Sequence, residues 1–385
     1  MIKAFQFTAS TRLRFQSGGI QALGEEVRAM GGAKVLLVTD PGVKNSGLLD
    51  KAVKPLEKDG IPCTTYADVE PNPSLEVVQR GLALLRQHAC DCLVALGGGS
   101  SIDTAKAIGI LACHPEPLFK YEGANKIPGP ILPLLAIPTT AGTGSEVTGG
   151  AVITDKTRNY KAAFRSQYLI PQVAILDAEL LLTLPPPVLA ATGMDAFTHA
   201  YEAFISPVTN PVSQALGYEA MRLVGQNLRR FYANPSNLEA AEAMMIASTM
   251  AGIAFFNGRV GVIHAMSHPL GGHFNVPHGL ANAILVPYCM EFTRMAVPEL
   301  FRRIAEALDE DVRGLSLEVA SRKAVEAVRS LVADLHIPKS LREVGAKPEA
   351  IDILTRDAVT TGIHVTTPRK VAAEDIKALY EIAFG

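Results

Sequence analysis

Four of the chain's nine histidines, His264, His268, His273 and His278, fall within fifteen residues. They lie in a segment that runs from Gly261-Val262-Ile263-His264 through His268-Pro269-Leu270-Gly271-Gly272-His273 to Pro277-His278-Gly279. Upstream, Gly193-Met194-Asp195-Ala196-Phe197-Thr198-His199-Ala200-Tyr201-Glu202 offers a carboxylate and an imidazole four positions apart. That spacing puts two side chains on one helix face, so Asp195 and His199 can converge, as can His264 and one of its later neighbours. A lone helical histidine is more often a packed polar residue than a ligand. Four so close together, with an Asp-x-x-x-His besides, reverse that expectation. Mixed oxygen and nitrogen donors suit iron(II) or zinc(II) better than calcium or magnesium. The pattern predicts a catalytic metal.

A second chemistry sits in the first half. Gly97-Gly98-Gly99-Ser100 follows the apolar run Cys92-Leu93-Val94-Ala95-Leu96 and opens a helical pattern. Glycines let a phosphate approach the backbone, and a helix N-terminus offers it unpaired N–H groups. The spacing is neither Gly-x-Gly-x-x-Gly nor a P-loop. Pro138-Thr139-Thr140-Ala141-Gly142-Thr143-Gly144-Ser145 also follows a strand-like run, and its hydroxyls suit a ligand lying across strand ends. Asp40 closes the run Val35 to Thr39. An acidic residue there can bond adenosine ribose hydroxyls and repel a 2′-phosphate, although it precedes the glycine loop where the usual fingerprint follows it. Asp-Pro-Gly is equally an ordinary turn.

The elements that must place these residues change character along the chain. Apolar runs at 34–40, 92–96, 131–137 and 173–177 alternate with helical patterns at 48–59 and 74–87, with an extended stretch near 64–69. Such alternation predicts a mostly parallel, Rossmann-like sheet covered on both faces. Residues 151–154 and 160–163 read as a small inserted hairpin, and the first fifteen residues as a strand pair. Pro185-Pro186-Pro187 marks a break, and the pattern beyond it is helical almost throughout. The reading is an α/β dinucleotide-binding domain at 1–184 followed by an all-α metal-binding domain at 185–385, with the active site in the cleft between them.

At 385 residues the chain is long for one core, and 48% hydrophobic with 19% charged residues is ordinary for a folded protein. A formal net charge of −2 gives no reason to expect nucleic acid or an anionic membrane as partner. No apolar run reads as a membrane span or a signal sequence, since Lys3, Arg12 and Arg14 interrupt the N-terminus. Five cysteines without paired spacing argue for a reducing, cytoplasmic setting. Met244, Met245, Met250, Phe255 and Phe256 lie at helical spacings and read as core. Arg229-Arg230 and Arg302-Arg303 read as solvated helix faces.

Taken together the segments resemble the iron-containing, group III alcohol dehydrogenases over almost the whole chain. The Gly-x-Asp-Ala-x-Thr-His and His-Ala-x-x-His-Pro-Leu-Gly-Gly…Pro-His-Gly patterns carry most of that resemblance. It implies Asp195, His199, His264 and His278 as ligands of one divalent ion, Fe(II) or Zn(II), with His268 catalytic beside the substrate. His273 falls where the family pattern requires no histidine. The resemblance assigns Asp40 to the adenosine ribose of NAD and Gly97, Gly98, Gly99 and Ser100 to the pyrophosphate. Thr139, Thr140, Ser145 and Lys161 fall near the ribose and nicotinamide end. Where the family often shows Asn-Pro-Arg, this chain has Thr367-Pro368-Arg369.

The implied activity is a metal-dependent, NAD-linked alcohol dehydrogenase that also reduces aldehydes, in a homo-oligomer. The metal would act as a Lewis acid on the substrate oxygen while hydride passes to nicotinamide. The His268 imidazole, of a type that ordinarily titrates at about 6.5, could carry the alcohol's proton towards solvent. Alternatives are a polyol dehydrogenase or a hydroxy- or keto-acid reductase, for which Arg259 or Arg165 would meet a carboxylate. A non-enzymatic metal or nucleotide sensor is the third reading.

Overall fold

The computed structural model describes residues 4–115, 117–158 and 160–385, so Lys3 lies outside the described residues. The chain divides into two compact units, Ala9–Thr183 and Leu184–Gly385, and the described residues ahead of Ala9 go with the second. Thr8 is tied there by a reciprocal pair of bonds to the Asn257 amide, at 2.7 and 2.9 Å.

In the first unit the strands are β1 (Arg12–Phe15), β2 (Val35–Val38), β3 (Cys63–Tyr66), β4 (Cys92–Gly97), β5 (Gly123–Ala124), β6 (Leu134–Pro138), β7 (Gly150–Asp155), β8 (Tyr160–Arg165) and β9 (Val173–Leu176). The helices are α1 (Leu23–Ala29), α2 (Pro41–Asn45), α3 (Leu48–Lys58), α4 (Leu75–Gln87) and α5 (Gly99–Cys113). Six strands form one parallel sheet in the order β1-β9-β6-β4-β2-β3. Successive strand residues face opposite sides. Leu36, Val38, Leu93, Ala95, Leu134 and Ala136 therefore enter one core with α4 and α5. Val35, Leu37, Val94, Leu96, Leu135 and Ile137 enter another with α1 and α3. Two buried faces explain why these strands read as continuous apolar runs.

Among the described residues, 4–15 do not form the expected strand pair. Only Arg12–Phe15 is strand, and its partner is β9, in register Arg12 to Val173. Short alternating apolar stretches suit any edge strand, and local pattern cannot say which strand completes the ladder. The inserted hairpin is present: β7 and β8 pair antiparallel, with Thr154 opposite Lys161, and β5 joins β8 in parallel.

The second unit comprises α6 (Pro186–Ile205), α7 (Pro211–Ala233), α8 (Leu238–Gly258), α9 (Val262–Phe274), α10 (His278–Thr293), α11 (Pro298–Ala307), α12 (Leu317–Asp334), α13 (Ile351–Thr360) and α14 (Ala373–Phe384). Pro186 and Pro187 occupy the first turn of α6, where a missing N–H costs nothing, so the proline run starts the helix. By length and composition α8 could cross a membrane, contrary to the sequence reading. It packs instead against α6 and α7, and its Ala- and Met-rich surface, with Met244 and Met245 buried, is that of a core helix.

Close packing of α6 on α10 brings together the segments that carry Asp195, His199 and His278. A Cβ on Gly279 would lie 2.5 Å from the Ala191 carbonyl oxygen and 3.2 Å from the Asp195 Cβ. Backbone cannot yield as a flexible side chain does, so Gly279→Ala must push α10 off α6. The expected cost is about 1–3 kcal/mol of stability. A thermal melt should show a clear drop in Tm, and an unchanged Tm would contradict this packing.

Candidate metal centre and cofactor site

Asp195, His199, His264 and His278 each offer one donor atom, and all four atoms lie within 4.8 Å of one another. Helical spacing brings Asp195 and His199 together on α6, α9 supplies His264, and His278 opens α10. The first three are buried and His278 is partly exposed. The amide nitrogen of Asn282, one turn beyond His278, lies 2.7 Å from Asp195 Oδ1, 3.3 Å from His264 Nε2 and 3.2 Å from His278 Nε2. Asp195 Oδ1 accepts from that neutral amide and the two imidazole nitrogens lie within hydrogen-bond distance of the same nitrogen, while Asn282 Oδ1 is buried without a partner. A donor set of one carboxylate and three imidazoles aimed at a common point fits a divalent ion of the iron or zinc type.

The cluster is set by a fifth residue that the sequence reading quoted without a role. Glu202 follows Asp195 and His199 on α6 at i+7 and i+3, so it shares their face. His264 Nδ1 donates to Glu202 Oε2 at 2.6 Å, and Ile263 N donates to Oε1 at 2.8 Å. A carboxylate accepts, so Nδ1 carries the proton and Nε2 keeps its lone pair for the cluster. Burial pushes the Glu202 carboxyl up to about 7, against backbone N–H groups and His199, which lower it. Burial and the neighbouring His199 push His264 down to about 3, with Asp195 opposing. The i, i+4, i+7 spacing was the signal available in the sequence.

The start of α9 is also capped by Thr367, whose hydroxyl accepts from Val262 N at 3.0 Å. The departure from Asn-Pro-Arg therefore leaves a side-chain acceptor in place. Arg369 donates to the Phe292 carbonyl at 2.7 Å and lies over that ring at 3.8 Å.

His268 lies outside the four-donor set, its ring centroid 5.4 Å from that of His278 and 6.2 Å from that of His264. His273 points elsewhere and pairs with Asp357 at 2.7 Å. Phe255 corrects its reading as plain core: it stacks on His199 with centroids 4.3 Å apart and walls the cluster. Arg259 ends α8 at φ +71°, an unusual backbone for a non-glycine residue, and forms no ion pair among the described residues.

At the sheet, β2 connects onward to β3 on one side while β4 connects to β6 on the other. Their adjacent carboxyl ends form the crevice where open α/β sheets bind ligands. Asp40 stands at the end of β2, and its carboxylate accepts from Val43 N at 3.0 Å and Ser101 Oγ at 3.1 Å. Gly97, at the end of β4, has φ +151°, and a Cβ there would lie 2.5 Å from Ser101 Oγ and 3.0 Å from Asp40 Oδ2. Strand order thus brings Asp40 beside a glycine loop that lies far along the sequence: sheet neighbours need not be sequence neighbours. Gly98 caps α5, with Ser100 in its first turn.

The Pro138 loop closes over the glycines. Thr139 N donates to the Gly97 carbonyl at 3.1 Å, and a Cβ on Gly98 would meet the Thr140 hydroxyl at 3.2 Å. Ser145 is buried, and its hydroxyl donates to Asp103 Oδ1 at 2.7 Å while accepting from Lys106 Nζ at 2.9 Å. Sequence reasoning assigned no role to Asp103 or Lys106. Lys161, on β8, donates to Asn72 Oδ1 at 2.7 Å, and burial pushes its amine down to about 8. Asn72 was likewise missed, and no local motif marks it.

Two family models cover this architecture in sequence: iron-containing alcohol dehydrogenase over residues 10–178, and the C-terminal part of that family over 189–384. The chain is 41% identical over 372 residues to a 1,3-propanediol dehydrogenase of Klebsiella pneumoniae, covering 96% of each. It is 37% identical over 366 residues to an NAD-dependent methanol dehydrogenase of Bacillus methanolicus, covering 95% of this chain and 96% of that one. A solved 1,3-propanediol oxidoreductase superposes with TM-score 0.97 at 40% identity, over 99% of this chain and all of that one. The chain belongs to the iron-containing alcohol dehydrogenase family. It is an NAD-linked, metal-dependent dehydrogenase of alcohols that also reduces aldehydes.

Two substitutions test the metal centre by elemental analysis of the purified protein. His278→Ala removes a donor and is expected to lose most of the bound metal. Glu202→Gln presents an amide N–H where a carboxylate oxygen accepted, and is expected to weaken metal affinity about 10–100-fold. Full occupancy in His278→Ala would remove His278 from the ligand set.

Proposed function

We propose that the chain is a cytoplasmic, NAD-preferring dehydrogenase of small alcohols whose resident ion is iron(II), ligated by Asp195, His199, His264 and His278. The observation that carries the proposal is the convergence of those four donors on one point, with Glu202 fixing the tautomer of His264. When bound, the ion supplies Lewis acidity at the substrate oxygen and the nicotinamide supplies the hydride acceptor. The chain's own residues do the rest. Asp40 takes the adenosine ribose, Gly97 to Ser100 take the pyrophosphate, and Thr139, Thr140, Ser145 and Lys161 surround the ribose and nicotinamide end. Phe255 limits the space beside His199, and His268 carries the alcohol's proton away.

A screen of alcohols and aldehydes with NAD or NADH, after loading with iron or zinc, tests the reading through the nicotinamide absorbance. Turnover of short alcohols, greatest with iron, is the expected result. Binding of metal and nucleotide with no turnover of any alcohol would point to a sensor. Among the described residues β1 is an edge strand, and that edge, with Leu13 and Phe15 about half exposed, supports a homo-oligomer formed with a second copy. A monomer mass by light scattering would exclude that.

Cofactor choice should follow from Asp40. A 2′-phosphate against this carboxylate is a like-charge contact, so Asp40→Gly should raise activity with NADP much more than with NAD. A wild type that prefers NADP would overturn the assignment.

His268→Ala should leave metal content intact while lowering turnover and changing the shape of the pH–rate profile. Loss of metal would make His268 a ligand, and an unchanged profile would reduce it to packing.

A further inference from the structure

Lys106 has no exposed surface, and a buried ammonium must satisfy its three N–H groups inside the protein. It does so on one short segment: Nζ lies 2.7 Å from the Ser145 carbonyl, 2.9 Å from Ser145 Oγ, and 2.8 Å from the carbonyls of Thr148 and Gly150. Asp103, one turn earlier on α5, holds the same segment from its other end. It accepts from Ser145 Oγ at 2.7 Å and from Val152 N at 2.9 Å. The Ser145 hydroxyl is the link, accepting from the lysine and donating its only proton to the carboxylate.

We propose that Lys106, Asp103 and Ser145 form a positioning device that fixes the Ser145–Val152 segment, and through it the β7–β8 hairpin bearing Lys161, in the shape that receives the nicotinamide end of the cofactor. The inference rests on the cofactor reading above. The same helix, α5, opens at the glycine loop beside Asp40, so one rigid element sets the pyrophosphate cradle at its N-terminus and the hairpin from its side. The far end of the hairpin is pinned independently, with Thr154 N donating to the Pro73 carbonyl at 2.7 Å and Thr154 Oγ1 to the Asn72 carbonyl at 3.0 Å. Burial pushes the Lys106 amine down to about 8, with Asp103 and Glu146 opposing, which is the strain expected of a charge retained for placement. Ser145 then acts through the loop it anchors, its donor proton already committed to Asp103.

The test compares two ligands that differ only at the end in question. NADH binding is followed by nicotinamide fluorescence, and ADP-ribose binding by calorimetry, in the metal-loaded wild type and in Lys106→Met, Asp103→Asn and Ser145→Ala. Positioning predicts about a tenfold loss of NADH affinity in Lys106→Met with ADP-ribose held within about twofold, because three carbonyls lose a charged donor while Asp40 and the glycine loop keep theirs. Ser145→Ala, which leaves Asp103 bonded to Val152 N, should lose roughly three- to fivefold for NADH and nothing for ADP-ribose. Should Lys106→Met fail to fold, Ser145→Ala and Asp103→Asn decide the matter. Folded variants with wild-type NADH affinity, or with equal losses for both ligands, overturn the proposal while the cofactor reading stands. A wild type that binds ADP-ribose but not NADH would overturn the cofactor reading, and this inference with it.

Discussion

The hydrogen bond between Glu202 and His264 governs the helical unit. A carboxylate buried to this degree is costly unless its oxygens are met by donors. Here one oxygen meets an imidazole N–H and the other the N–H of Ile263 in the first turn of α9. A single side chain therefore joins α6 to α9, satisfies a helix end and chooses which nitrogen of His264 faces the cluster. Gly261 is required by the same contact, since a Cβ there would lie 3.1 Å from Glu202 Oε1 and 2.9 Å from the Thr367 hydroxyl. Lengthening or shortening any of these groups moves His264, one of the four clustered donors.

The parallel sheet solves a different problem with comparable economy. Its two central carboxyl ends bring Asp40 beside Gly97, and the absence of a side chain at Gly97 is what allows the Ser101 hydroxyl to reach the carboxylate. Tight backbone and a fixed acidic group then stand together without any contribution from a mobile loop.

Much of this was legible in advance, and the failures share a physical cause. Helical spacing joined Asp195 to His199 because that relation is local, and buried strands announced themselves as apolar runs. Spacing could not separate His278 from His273, because only the fold shows that His278 joins the other three donors while His273 turns to Asp357. Asp40 looked misplaced because sheet order is nonlocal. Lys106 escaped notice because a lysine in a helix ordinarily reads as a solvated residue, and only the fold reveals four acceptors around it. Phe255 had the spacing of core and the position of a wall. In α8, apolarity sufficient for a membrane turned out to be the mark of a helix flanked by two others.

The helix that carries His264 is held by groups 105 and 114 residues further along the chain than their partners. Thr367 caps its first turn, and the Tyr380 hydroxyl donates to the Met266 carbonyl at 2.6 Å, from a helix that ends at Phe384. The sheet unit, by contrast, is one continuous stretch ending at Thr183. During synthesis, which runs from the N-terminus, the nucleotide-type fold can form on the ribosome while half the chain is still unmade. The cluster of donors cannot settle until the segment bearing Thr367 and Tyr380 has emerged, so it forms after the sheet unit. Thr8, whose partner is Asn257, must wait unattached through the making of the whole first unit.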